Sequence, residues 1–99
     1  MSAFDDPNTR LLLSAVAAID SEDLARRFLE DLLTNREIQS ISQRLNVARM
    51  LLAREKYASV ERSTGASSAT IVRVNQCIRF GAGGYEAVLG ALRETEAEA

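Results

Sequence analysis

Histidine and tryptophan are absent from this 99-residue chain, and cysteine and proline occur once each, as Cys77 and Pro7. Without histidine, no Ser-His-Asp triad or Cys-His pair can be assembled, and His-rich metal sites are excluded. A single cysteine allows no intrachain disulfide and no Cys-based zinc site, a usage that fits the reducing cytoplasm. No apolar run approaches the ~18 residues a membrane span needs, and the acidic start, Asp5-Asp6, is unlike a signal peptide. The acidic pairs Asp5-Asp6, Glu22-Asp23 and Glu30-Asp31 are chain neighbours that point to different sides of a helix, so none forms a general acid–base pair. The sequence predicts no catalytic residues, no metal site and no enzyme.

What is present is ordinary for one soluble domain spanning residues 1–99, with 46% apolar and 26% charged residues. The net charge of −2 hides an uneven distribution. Residues 1–33 hold three basic residues against seven acidic, a net of −4, and residues 34–80 hold eight against three, a net of +5. Residues 81–99 hold one against four, a net of −3. A basic middle between acidic ends suits a polyanion partner, although solvated helix faces would carry the same charges.

Every segment with a clear period has the helical one. Asp6-Pro7 places an N-cap before a first-turn proline, and Leu12, Val16 and Ile19 follow at helical spacing. A second helix is predicted from Ser21, with Leu24, Phe28 and Leu32 on one face. Thr34-Asn35-Arg36-Glu37 reads as a capping box, and behind it Ile38, Ile41, Leu45, Ala48 and Leu52 form a stripe reinforced by Val47 and Leu51. A short helix is expected at Tyr57–Thr64 and another from Ser67 or Ser68 to about Arg79, stopped by Gly81-Ala82-Gly83-Gly84. That glycine run follows a helix and lacks a Lys-Ser/Thr pair, so it is a joint and not a phosphate loop. Tyr85–Leu92 is predicted as a last helix, with a fraying acidic tail at 94–99. The fold class is all-α, about six helices. The apolar crowding of Leu11, Leu12, Leu13, Val16, Ile19, Leu24, Phe28, Leu29, Leu32 and Leu33 in the first third predicts wide faces of the kind a homodimer buries.

The segment 57–79 has the layout of a helix-turn-helix. Gly65 sits where the turn needs a left-handed residue, and Val60, Ile71, Val74 and Ile78 supply the apolar crossing. At about 100° per residue, Ala69, Val72, Arg73 and Gln76 lie opposite that crossing, flanked by Ser68, Thr70 and Arg79. Such a face suits a DNA major groove. Ser67 or Ser68 can cap the second helix, with amides near Ser67 available to a phosphate, and Arg62 and Arg79 are placed as phosphate contacts. Arg49, Arg54 and Lys56 are further phosphate candidates. One departure is Glu61, four residues before the turn glycine, where a small residue is usual. Cys77 reads as a small core residue, and Tyr57 and Tyr85 as packing aromatics.

The chain from Leu32 to Leu89 resembles the Trp repressor superfamily, and most closely its tryptophan-repressor-like YerC/YecD branch. The resemblance is carried by Phe28-Leu29-Glu30-Asp31-Leu32-Leu33-Thr34, Gln43-Arg44-Leu45, Ala48-Arg49, Leu51-Leu52, Thr64-Gly65-Ala66-Ser67-Ser68-Ala69-Thr70-Ile71, Arg73-Val74-Asn75 and Gly81-Ala82-Gly83-Gly84-Tyr85. It implies an intertwined homodimer in which two helix-turn-helix units read a palindromic operator on double-stranded DNA, with repression as the usual activity. It also implies an L-tryptophan site, in which Arg44 and Arg73 would flank the indole and Thr34 would help hold the carboxylate. Two neighbouring positions depart from that site: a glycine beside the pocket is Val74, and a serine that holds the ligand's amino group is Cys77. The expectation is a DNA-binding regulator with another small effector or none. The competing expectation is a helical adaptor that dimerises and binds a protein partner without DNA.

Overall fold

The computed structural model describes residues 3–98. These form six helices: α1 (Pro7–Ala17), α2 (Glu22–Leu32), α3 (Asn35–Leu52), α4 (Tyr57–Thr64), α5 (Ser68–Phe80) and α6 (Gly84–Glu98). No strand occurs among the described residues, and α1, α2, α3 and α5 start directly after Asp6, Ser21, Thr34 and Ser67, the residues predicted to cap them. The chain divides into two compact units, Met1–Asn35 and Arg36–Ala99.

In the first unit the Asp6 carboxylate accepts from the amides of Asn8 (2.9 Å) and Thr9 (3.1 Å). These bonds, led by the one from the Thr9 amide, hold the Asp6 carboxyl below its ordinary range because they favour the charged form. Ser21 caps α2 by accepting from Leu24 N–H at 3.1 Å. Along α2, Arg26 pairs with Glu30 (3.0 Å) and Arg27 with Asp23 (3.2 Å). Both are exposed one-turn pairs, worth only a few tenths of a kcal/mol each. Neither α1 nor α2 has a buried residue. Leu11, Leu12, Leu13, Val16, Leu29 and Leu32 all stand exposed, so the wide apolar faces of the first third are present and uncovered in a single chain.

The second unit holds the core. Val47 and Ala48 of α3, Val60 of α4, Ala66 of the turn, Ile71 and Val74 of α5 and Leu89 of α6 are buried together, with Met50, Leu51, Leu52, Ile78 and Tyr85 half-buried against them. The long stripe of α3 is therefore split. Its C-terminal half enters the core, whereas Ile41 and Leu45 remain exposed. Periodicity shows which side of a helix is apolar but not how far along it a neighbour reaches.

α3 ends in a double bond pattern: Arg54 N–H donates to Leu51 O and Glu55 N–H to Met50 O, each at 3.0 Å. This Schellman-type end puts its left-handed residue at Arg54 (φ +64°), a position that glycine usually fills. The last helix differs from expectation. α6 runs to Glu98, so the acidic segment from Glu94 continues the helix instead of fraying, and residue 99 lies outside the described residues. Glu and Ala are strong helix formers and no Pro or Gly follows Gly90. The Thr95 hydroxyl also donates to the Ala91 carbonyl at 3.0 Å.

Candidate nucleic-acid interface

α4 and α5 are joined by a three-residue turn. Gly65 takes φ +71° and donates its N–H to the Glu61 carbonyl at 2.9 Å. A side chain in that left-handed conformation costs roughly 1–2 kcal/mol, which is why the turn falls at glycine. Thr64 ties the turn together, its hydroxyl donating to the Val60 carbonyl (2.7 Å) and accepting from Ala66 N–H (3.1 Å). From α3, the Gln43 side-chain amide donates to the Thr64 carbonyl at 3.1 Å. This bond spans 21 residues and is partly buried, so Gln43 braces the turn against α3. Its replacement in Gln43→Ala should lower stability by about 1 kcal/mol. A denaturation midpoint equal to that of the native chain would mean the bond is made equally well by water.

α5 has two unlike sides. Ile71 and Val74 are buried and Ile78 half-buried, all facing the core. On the other side Ser68, Ala69, Val72, Arg73 and Gln76 line a shallow recess, each of them exposed. Five of the residues predicted to face a groove are thus brought together. The Ser67 hydroxyl caps α5, accepting from Thr70 N–H at 3.2 Å and donating to the Thr70 hydroxyl at 3.0 Å. Thr70 is half-buried and belongs to the cap. Arg62 lies in the last turn of α4 and Arg79 in the last turn of α5, both exposed. α5 contains two arginines and no acidic residue, so its outer side is positive.

Three expectations change here. Glu61 is exposed, and the crossing of α4 with α5 is filled by Val60, Ala66, Ile71 and Val74, so a glutamate there meets no tight contact. Cys77 is exposed and not a core residue, because the core side of α5 is already taken by Ile71, Val74 and Ile78. Tyr85 packs on the core as expected, but Tyr57, at the start of α4, is exposed over nearly half its surface and is not part of the core.

The residues matched to an effector site are spread over the two units. Thr34 lies in the first, and Arg44 and Arg73 lie in the second, where both are exposed. Val74, next to Arg73 in the chain, is only 2% exposed and sits inside the core. Two roles escaped the sequence reading, those of Gln43 and Phe80. Gln43 carries no periodic or charge signal, and Phe80 sits one residue beyond the segment read as the motif.

The Trp repressor protein family matches this chain over residues 8–93. The uncharacterized protein YerC of Bacillus subtilis (strain 168) is 44% identical over 87 residues, covering 88% of this chain and 84% of YerC. A crystal structure of a TrpR-like protein from Eubacterium eligens superposes with a TM-score of 0.84 at 38% identity, covering 90% of this chain and 92% of that one. The structure of a candidate Trp repressor from Staphylococcus aureus gives 0.85 at 32% identity, covering 94% and 96%. With its six helices and its braced helix-turn-helix, this chain belongs to the Trp repressor family, in the YerC-like branch.

Proposed function

We propose that the chain is a sequence-specific transcriptional repressor of the cytoplasm, acting as an intertwined homodimer on palindromic double-stranded DNA. The observation that carries this reading is α5, whose outer side gathers Ser68, Ala69, Val72, Arg73 and Gln76 in one exposed, positively charged recess behind a rigid turn. Such a helix presents hydrogen-bonding and small side chains to base edges from its N-terminal half. In this reading Ser68, Ala69, Val72, Arg73 and Gln76 face the groove, and Thr70 orients the start of the helix. Arg62, Arg79 and the amides near Ser67 contact phosphates. The uncovered apolar faces of α1 and α2 support a homodimer, because burying them needs a surface that one chain does not supply.

Phosphate contacts fix position and carry the salt dependence, whereas base contacts carry sequence. Arg79→Ala should therefore weaken binding to every duplex and reduce the slope of log K against log salt by about one. A slope equal to the native one removes Arg79 from the interface.

L-Tryptophan does not fit the residues present. Val74, where the family has a glycine, adds bulk next to Arg73, and Cys77, where the family has a serine for the ligand's amino group, is a far weaker hydrogen-bonding group. DNA binding is expected to be independent of tryptophan. Fluorescence anisotropy of labelled DNA from upstream of the protein's own gene, against random duplex, tests both statements. Preference for the upstream DNA that L-tryptophan leaves unchanged is the expected result. Preference that appears only with tryptophan overturns the effector reading. Absence of binding to either duplex at low salt overturns the DNA reading and favours the protein adaptor.

A further inference from the structure

Val72 stands among polar groups on the outer side of α5. It is 45% exposed, lies in the second turn of the helix, and shares its recess with Ser68, Ala69, Arg73 and Gln76. Nothing local asks for valine there. A β-branched residue is a poorer helix former than Ala, Glu or Lys, and apolar surface left in water gains nothing. The core side of α5 is taken by Ile71, Val74 and Ile78, and Val72 is not part of the core.

The two methyls of Val72 and the methyl of Ala69, three residues earlier and therefore a neighbour on the helix surface, form a small apolar strip. Hydroxyl, amide and guanidinium groups surround it. Ser68 lies about 6 Å before Val72 along the axis and Gln76 about 6 Å after it, on nearly the same line. The strip is also stiff, because a valine in a helix keeps essentially one χ1 rotamer. It presents a fixed shape from the N-terminal half of α5, the part of a reading helix that contacts bases.

The bases differ in what they place against such a strip. In the major groove adenine, guanine and cytosine show only hydrogen-bond donors and acceptors, whereas thymine adds a C5-methyl group. Against the first three, valine takes water from polar atoms and returns no hydrogen bond, which is costly. Against thymine, methyl meets methyl and both leave water. From this contrast we infer that Val72, completed by Ala69, is a specificity-determining residue that reads the 5-methyl group of one thymine in each half-site. The inference rests on the DNA-binding reading above and adds to it the base that α5 selects.

The test uses the full chain and duplexes selected from a random-sequence library by repeated binding at low salt. Expected is a consensus with a thymine at one fixed place in each half. Uracil at that place removes the methyl and keeps every hydrogen-bonding group, and it should weaken binding about three- to fivefold per half-site. 5-Bromouracil, whose bromine is similar in size to a methyl, should restore the affinity. In Val72→Ala the thymine and uracil duplexes should bind within about 1.5-fold of each other, as the cycle of the two changes requires when they touch. Its melt should match the native one, because Val72 is exposed. Val72→Ile, which keeps the branch, should retain the discrimination. Equal binding of both duplexes by the native chain overturns the inference and leaves DNA binding intact. A loss of about threefold or more that persists in Val72→Ala does the same, as does a consensus without thymine. Failure to select any duplex at low salt overturns both readings.

Discussion

Truncating Ile71 to alanine should remove about 2–5 kcal/mol of stability, the largest loss expected from any single conservative change in this chain. Ile71 is 1% exposed and packs at the centre of the small cluster formed with Val47, Ala48, Val60, Ala66, Val74 and Leu89. Four helices and the turn contribute to that cluster, so a cavity at Ile71 cannot be closed by the shift of one neighbour. Domains of this size are stable by about 5–15 kcal/mol in total. The melting temperature should drop by about 10 °C or more. Ile71→Val, which removes one methylene, should cost about 0.5–1.5 kcal/mol. A circular-dichroism melt of Ile71→Ala within a degree or two of the native one would mean that α5 is held chiefly by another surface. The same cluster places the outer side of α5, so DNA affinity of Ile71→Ala should fall as the folded fraction falls, with no change in preferred sequence.

Arg73→Ala should act in the opposite way, leaving the melt nearly unchanged and weakening specific DNA binding about 10- to 100-fold, as expected for loss of a base contact worth about 1–3 kcal/mol. Arg73 is exposed in the middle of the recess, between Val72 and the buried Val74, with Ala69 and Gln76 about one turn to either side. A guanidinium there reaches base edges or a phosphate, and the two differ in a measurable way. Loss of a base contact relaxes the sequence preference and lowers affinity for the specific site alone. Loss of a phosphate contact lowers affinity for all duplexes and reduces the salt slope. Anisotropy on specific and random DNA at several salt concentrations separates these outcomes. An affinity within twofold of native on both duplexes would exclude Arg73 from the interface.

The helices of this protein follow from local signals in its sequence. Asp6, Ser21 and Ser67 are local signals, because a cap is a bond between residues two or three apart. Gly65 likewise fixes the turn by its own backbone freedom. The two sides of α5 were legible too, since Ile71, Val74 and Ile78 recur at helical spacing and leave Ala69, Val72, Arg73 and Gln76 outside. Where those helices meet is set by long-range packing. It buried Val47 and Ala48 while leaving Ile41 and Leu45 of the same stripe exposed, because coverage depends on the neighbour's length and not on the pattern. It put Cys77 outside, since three larger residues had filled the core side of α5. It brought Gln43 to the turn across 21 residues and stood Phe80 under Arg79 at the end of α5. These are contacts between parts of the chain that no local period records, and they brace and orient the reading helix.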